Sequence, residues 1–148
     1  MKYILNSNHT SILRADPPED VIDQLKVFCS EHNIHAGTFS VIGAVKELQL
    51  GWYDTDTKRY TKKDFRQKLE VTGMLGNISV REDDPKEIIV HAHGTFSDET
   101  MGVFGGHVFR AVVGGACEIA LTQLEGVVRK KYFDSIGLYL MDPERESE

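Results

Sequence analysis

The sequence predicts an α/β fold of the α+β type, in which a mainly antiparallel β-sheet carries one principal helix on one face. Only one segment combines helix start and stop signals with a helical spacing of apolar residues. The other apolar segments are short, rich in Val, Ile, Leu and Phe, and bounded by Gly or Asp-Pro. They recur at intervals of about ten residues, which is typical of antiparallel sheets. We therefore expect a meander-like order of strands.

The helix is predicted to begin in the segment Asp16–Glu19. This segment supplies an acidic N-cap, a proline at the first helical position and a glutamate three residues after the cap. Apolar residues then follow at helical spacing and form one stripe, namely Val21, Leu25, Phe28 and Cys29. Asn33 is the predicted stop. We expect His32 and His35 to lie on the surface or to cap the helix end.

Strands account for most of the remaining chain. The predicted strands are Lys2–Asn6, Ser11–Arg14, Thr38–Ala44, Lys46–Tyr53, Lys68–Met74, Asn77–Arg81, Ile88–Phe96, Val108–Val113 and Ile119–Leu124. A short turn and a last strand are expected between Tyr132 and Met141. We expect a single domain over residues 1–141, followed by an acidic flexible tail at 142–148 that lacks apolar anchors.

Composition and charge narrow the classes of function. The chain has 148 residues and a formal net charge of −6, which argues against nucleic-acid binding over its whole surface. No apolar run approaches the roughly 18–20 residues of a membrane span, and the N-terminus does not resemble a secretory signal. We therefore expect no membrane association and a cytoplasmic location. Cys29 and Cys117 are expected to be buried thiols rather than a disulfide.

One basic segment stands apart from the acidic remainder of the chain. The stretch KRYTKKDFRQK, residues 58–68, carries six basic residues and one acidic residue. Aromatic residues interleaved with the positive charges could contact a nucleic acid. The alternative is a solvated hairpin loop. If the segment binds DNA, the contacting residues are expected to be Lys58, Arg59, Lys62, Lys63 and Arg66.

The strongest chemical signal is the stretch HAHGTFSDETMGVFGGHV, residues 91–108. His91 and His93 are two residues apart on a predicted strand, so both side chains lie on one face. His107 opens the next predicted strand, and antiparallel pairing could return it beside the first two. Three imidazoles with an open fourth position predict a divalent metal site. Zinc suits this donor set best, while nickel, copper and iron remain open.

Residues near the histidines are candidates for supporting roles. Asp98 and Glu99 lie in the loop between the predicted ligands, and either could act as a general base or simply solvate the loop. Asn77 could face the same pocket from a neighbouring strand or form a turn after Gly76. Gly105 and Gly106 would let the backbone turn sharply and approach a neighbour closely.

Three blocks of the sequence carry a family resemblance. They are GTFSVIGAVKELQLGWYD, LEVTGMLGNIS and VHAHGTFSDETMGVFGGHVFRAVVGGACEIALTQLEG, and together they resemble the plant and prokaryote conserved (PPC) domain over roughly residues 3–141. The chain is most similar to the free-standing prokaryotic members, which often carry a DNA-binding label. The resemblance implies a compact α/β domain, a homotrimer, and metal binding at His91, His93 and His107.

The plant branch of the family differs from this chain in its functional segments. Plant members place the domain beside AT-hooks, and this sequence contains no Arg-Gly-Arg-Pro segment. Their Gly-Arg-Phe-Glu-Ile-Leu block falls about where this chain has DFRQKL, residues 64–69. The nuclear functions of that branch are therefore not expected here.

Three functional hypotheses follow from these observations. The first is a small metal-binding protein, which could be an enzyme and could bind a small-molecule ligand. The second is a DNA-binding or regulatory protein that presents residues 58–68 three times in a trimer. The third is a ligand-binding or scaffolding trimer in which the metal is structural.

Overall fold

The computed structural model describes residues 1–143, which form one helix and a nine-stranded sheet. Apart from its first two residues, the predicted tail at 142–148 lies outside the described residues. The helix α1 spans Val21–Glu31. The strands are β1 Lys2–Ser7, β2 Thr10–Ala15, β3 Gly37–Asp54, β4 Arg59–Phe65, β5 Leu69–Arg81, β6 Ile88–Ser97, β7 Val103–Gln123, β8 Arg129–Phe133 and β9 Leu138–Met141.

The strand order confirms the predicted fold class but not the meander. The main path of the sheet is β1-β2-β7-β3-β5-β8-β9, with β4 paired to β3, and β6 paired to both β5 and β7. Strands β3, β5, β6 and β7 therefore close a ring of antiparallel pairings. The meander was wrong because the late strand β7 lies between β2 and β3. The one parallel pair among residues 1–143 joins β5 and β8.

Each of three long strands spans two segments that the sequence predicted as separate strands. β3, β5 and β7 run through positions that the sequence presents as strand ends. In β3 the predicted break fell at Val45, and Gly43, two residues earlier, has a φ of +143° and lies between two register shifts. An added Cβ there would collide with the carbonyl oxygen of Ala116. A glycine within a strand thus marks a bulge here rather than a turn.

The helix begins later than predicted, at Val21. Its N-cap is Asp20, whose Oδ1 accepts hydrogen bonds from the backbone N–H groups of Ile22 and Asp23. The other carboxylate oxygen of Asp20 accepts from the backbone N–H of Ala111 in β7, at 2.9 Å. Residues 16–19 instead form a turn in which the Glu19 carboxylate accepts from the Asp16 N–H. Asp20 therefore caps the helix and also fixes it to the sheet.

The apolar stripe of the helix packs on the sheet as predicted. Val21, Leu25, Phe28 and Cys29 are all buried. The helix ends at Glu31, and the His32 ring makes a 2.8 Å hydrogen bond with the Phe28 carbonyl, which confirms its capping role.

Cys29 and Cys117 are unpaired and buried, and burial raises the pKa of their thiols to about 12 and about 11. No helix within residues 1–143 has the length and apolar character needed to span a membrane.

Candidate metal centre

Strand β6 separates the apolar core from the histidine-bearing face. Val90 and Ala92 are buried in the core, whereas His91 is half-buried and His93 is exposed on the opposite face. This alternation follows from the period of two along a strand. The core side therefore fixes the register of β6, because a slip of one residue would drive the histidines into the apolar interior.

Strand β7 brings the third histidine to the same face. His107 lies directly opposite His93 in the pairing of β6 with β7. The three ring centroids are 5.1 Å, 5.2 Å and 5.3 Å apart in the three pairs. One potential ligand atom from each ring lies within 4.8 Å of the others. The structure thus gathers His91, His93 and His107 into one histidine cluster, as the spacing predicted.

The two glycines before His107 make this close pairing possible. Gly105 and Gly106 lie inside β7, not in a turn, because β7 begins at Val103. An added Cβ at Gly105 would collide with the backbone carbonyl oxygen of Gly94 in β6. At Gly106 it would come within 2.9 Å of the Gly51 carbonyl oxygen in β3. The predicted close approach is present, but the predicted sharp turn was wrong.

The environment of the cluster favours neutral imidazoles. Burial lowers the pKa of His91 to about 4, with smaller contributions from the charges of Lys130 and His93. Burial also lowers the pKa of His107 to about 4, helped by the other two rings, Lys130 and Lys62. Both rings are therefore neutral at pH 7. Neutral imidazole is the form that binds metal ions.

The cluster meets the chemical requirements of a small divalent cation. His107 Nδ1 is buried and has no hydrogen-bond partner within residues 1–143. A ligand nitrogen about 2.0–2.1 Å from zinc in a tetrahedral site lies about 3.4 Å from the next one. The ligand atoms of the three rings, which lie within 4.8 Å of one another, would come closer together on binding one ion. Three protein ligands would leave a fourth position open.

A cavity of about 530 Å³ adjoins the cluster. His91 and His107 line it, together with Asn77, which lies directly opposite His91 in the pairing of β5 with β6. The other lining residues are Tyr60, Ile89, Val90, Phe109, Lys130 and Leu138–Met141. Asn77 therefore faces the histidines from the neighbouring strand, as the sequence suggested.

Two hairpins line this cavity, and hydrogen bonds connect them. The β8–β9 hairpin contributes Lys130 from β8 and all four residues of β9 to the lining. The β3–β4 hairpin holds it through Tyr53, whose hydroxyl donates to the Ile136 carbonyl at 2.6 Å, and through Lys58, whose Nζ donates to the Asp134 carbonyl at 2.7 Å. The cavity thus depends on contacts between segments that are distant in sequence.

Asp98 and Glu99 lie apart from this cavity. The Asp98 carboxylate accepts hydrogen bonds from the Thr100 backbone, the Thr100 hydroxyl and the Gly102 backbone. The hydroxyl bond is the main reason that its pKa is lowered. Asp98 thus closes the β6–β7 turn, and Glu99 is exposed. The role of either carboxylate as a general base stays a prediction.

The basic segment forms a strand rather than the expected loop. Side chains alternate along β4, so Arg59 and Lys63 point to one face and Lys62 to the other. Lys62 Nζ lies 3.8 Å from the centre of the Phe109 ring, on the histidine side. Lys63 Nζ lies 4.9 Å from the Phe65 ring. The positive charges of the segment are therefore divided between two faces of the hairpin.

Sequence reasoning missed Lys130, Tyr60 and Phe109 as parts of this site. The His107 ring packs against Tyr60 and Phe109, with centroids 5.3 Å and 4.5 Å away. Alternation would have placed Phe109 on the face of His107, because the two residues are two positions apart. Lys130 follows Arg129 and precedes Lys131, and nothing in that basic run distinguishes a buried lysine from exposed ones.

Comparison with solved structures finds several proteins of the same fold. A candidate DNA-binding protein from Bacteroides thetaiotaomicron is 28% identical, with a TM-score of 0.91 over 97% of this chain and 98% of its own. A metal-containing protein from Archaeoglobus fulgidus is 32% identical, with a TM-score of 0.83 over 95% of this chain and 99% of its own. A plant- and prokaryote-conserved protein from Pyrococcus horikoshii is 27% identical, with a TM-score of 0.84 over 98% and 97%.

Comparison with protein families identifies the domain. No curated protein sequence matches the chain. The Plants and Prokaryotes Conserved (PCC) domain profile matches residues 5–125, which include the helix, the ring of strands and all three clustered histidines. The chain therefore belongs to the Plants and Prokaryotes Conserved domain family.

Proposed function

We propose that this protein is a metal-binding protein in which His91, His93 and His107 hold one divalent cation. The observation that carries the proposal is the convergence of three imidazoles, each offering a ligand atom within 4.8 Å of the others. The low pKa of two rings and the unpaired Nδ1 of His107 support it further. The description of the Archaeoglobus fulgidus protein as metal-containing, at 32% identity, agrees with it.

Zinc is the cation that the donor set favours. Three neutral imidazoles match its preference for nitrogen ligands and a four-coordinate site. Bound there, the ion would supply a Lewis acid that polarises an oxygen atom of a small molecule. Because His91 and His107 also line the adjoining cavity, a small-molecule ligand could reach the open position. The proposed function is therefore a metal centre that binds a small molecule.

Elemental analysis tests this proposal directly. Untagged protein is stripped with a chelator, reconstituted with zinc and passed through a desalting column. We expect about one zinc ion per chain. A content below about 0.1 equivalent per chain would mean that no such centre exists.

We also propose that the chain assembles as a homotrimer. The resemblance to free-standing prokaryotic members supports this state. Several large apolar side chains are exposed, as is expected where another chain packs against them. They are Ile42, Trp52, Leu75, Met101 and Val103. Sedimentation equilibrium is expected to give three times the 16.7 kDa chain mass, and the monomer mass would refute the trimer.

A cytoplasmic location is proposed from the cysteines. Cys29 and Cys117 are both unpaired thiols. Free thiols persist in reducing compartments, whereas secreted domains of this size often use disulfides. Recovery of the protein in the cytosolic fraction of its native cells is the expected result.

DNA binding is the alternative function. The description of the Bacteroides thetaiotaomicron protein supports it, at 28% identity. The division of the basic segment between two faces of β4 weakens it. If the alternative holds, gel-shift binding at low salt should weaken steeply with added salt and disappear when Lys62, Lys63 and Arg66 become Ala. No retardation at low salt would eliminate it.

A further inference from the structure

Lys130 is a buried cation without a counter-charge. Its side chain lies on β8, and the residue is only 5% exposed. Within residues 1–143, its ammonium forms neither a hydrogen bond nor an ion pair, although Lys131 beside it pairs with Asp142. The residue loses much of its hydration, which is costly for a cation without a counter-charge. A buried lysine at this position is therefore unusual unless another group supplies the missing negative charge.

Lys130 is the one charged side chain among the described residues that line the adjoining cavity. Within residues 1–143, none of the residues that line it carries a carboxylate. Lys62 adds a second ammonium near its rim, above the Phe109 ring. The charges of Lys130 and Lys62 both act on His107. Because three imidazoles are neutral ligands, a divalent cation bound by them would add two further positive charges to the same space.

Two other polar atoms in the cavity also lack partners. Asn77 Oδ1 and His107 Nδ1 are buried and make no hydrogen bond within the described part of the chain. Much of the remaining wall is apolar and comes from Ile89, Val90, Phe109, Leu138, Leu140 and Met141. A ligand that fits this lining combines a charged group with a short apolar portion.

We propose that this cavity binds a small organic anion, whose charged group pairs with Lys130 and whose apolar portion lies against β9. The proposal deepens the metal-binding function, on which it rests, by naming the class of ligand. An organic carboxylate satisfies the charge of Lys130 through charge-assisted hydrogen bonds. Burial lowers the pKa of the Lys130 ammonium. A bound anion would offset that desolvation.

The first test needs no mutation. Zinc-loaded protein is titrated calorimetrically with butyrate, with its neutral analogue butyramide and with inorganic phosphate. We expect butyrate to bind at least about tenfold more tightly than butyramide, because only butyrate neutralises the buried charge. Equal affinity for the two would overturn the proposal. Phosphate binding more tightly than butyrate would refute the apolar part of the ligand.

The second test removes the charge while keeping the shape. Lys130→Met preserves a long apolar side chain and is expected to weaken butyrate binding about tenfold or more. Lys46→Met is the matched control, because Lys46 is exposed on β3 and does not line the cavity. An unchanged butyrate affinity in folded Lys130→Met protein would overturn the proposal.

The two proposals fail in distinguishable ways. Zinc content is measured on the same samples. A protein that binds zinc but shows no butyrate binding therefore contradicts the anion site alone. A protein that holds no zinc contradicts the metal centre. In that case the butyrate titration of metal-free protein still decides the anion site, because Lys130 is present in both states.

Discussion

At the scale of single residues, the clustered histidines differ from His9 in burial and contacts. His9 is exposed in the β1–β2 turn, whereas His91 and His107 are half-buried on one face of the sheet with ring centroids 5.2 Å apart. Ordinary alternation of side chains along two paired strands produces this difference. The role of each histidine is therefore set by its register, which can be tested one position at a time.

Removing one ligand should abolish tight zinc binding. We expect His91→Ala or His107→Ala to lower zinc affinity by more than about 100-fold, because two imidazoles remain of three. His9→Ala, in the same assay, should keep the wild-type affinity. Competition with a chromophoric chelator measures all three. Wild-type affinity in both cluster variants would place the metal elsewhere.

The stability of the metal-free protein should fall in mild acid. The pKa of His91 and His107 is about 4 in the folded chain against 6.5 for an unperturbed imidazole. Between these values the unfolded chain binds more protons than the folded one, so the free energy of unfolding decreases as pH falls from about 6.5 towards 4.

Thermal denaturation of metal-free protein over this pH range measures the effect. The His91→Gln/His107→Gln double variant should show a shallower decrease in Tm, because it no longer contains these two titrating rings. An identical pH dependence in both proteins would show that the rings do not titrate as stated.

How far single residues could be predicted depends on whether the signal is local. The three histidines could be found from the sequence, because their spacing and strand periodicity together imply one face. Asp98 was a candidate general base or loop-solvating residue, and its carboxylate closes a turn through Thr100 and Gly102. Lys130 could not be found, because its burial depends on β9 and on strands that are distant in sequence.

At the scale of elements, β7 is the strand that assembles the site. It pairs with β3 between His107 and Gln123, with β2 on its other edge between Cys117 and Thr122, and with β6 between Val103 and His107. The sequence predicted only two pieces of it, Val108–Val113 and Ile119–Leu124, because glycines at 105, 106, 114 and 115 looked like boundaries. Pairing with β6 carries the strand through Gly105 and Gly106, and pairing with β3 resumes on both sides of Gly114 and Gly115. Propensity alone could not show this.

The glycines of β7 should differ in their tolerance of a side chain. We expect Gly105→Ala to lower the free energy of unfolding by about 1–3 kcal/mol, because its Cβ would collide with the Gly94 carbonyl and push β6 away from β7. Gly115→Ala is the matched control in the same strand. Its Cβ would lie 3.8 Å from the Cβ of Ala44, an ordinary contact.

Urea denaturation of the two variants measures the difference. Gly115→Ala should change the free energy of unfolding by no more than about 0.5 kcal/mol. Gly105→Ala should also weaken zinc binding, because the shift separates His93 from His107. Equal stability of the two variants would contradict the close pairing of β6 with β7.

At the scale of the whole molecule, one chain supplies all three proposed ligands. The cluster therefore needs no residue from a second copy, whichever oligomer forms. The sequence could indicate the proposed trimer only through family resemblance, because strand periodicity says which faces are apolar and not which chains meet. The fold class was predictable, whereas the ring of β3, β5, β6 and β7 required pairings between distant segments.

Removing the metal should leave the oligomer intact. We expect chelation to lower the melting temperature, because a ligand that binds only the folded state stabilises it. The mass from sedimentation equilibrium should not change, because the three histidines belong to one chain. A fall in the sedimentation mass on chelation would instead favour a structural metal that links the subunits of the proposed trimer.

Anomalous diffraction from zinc-loaded crystals tests the central claim most directly. We predict one anomalous peak per chain, about 2.0–2.1 Å from a nitrogen of each of His91, His93 and His107. A peak at any other position, or zinc-loaded crystals without a peak between these three rings, would contradict the account.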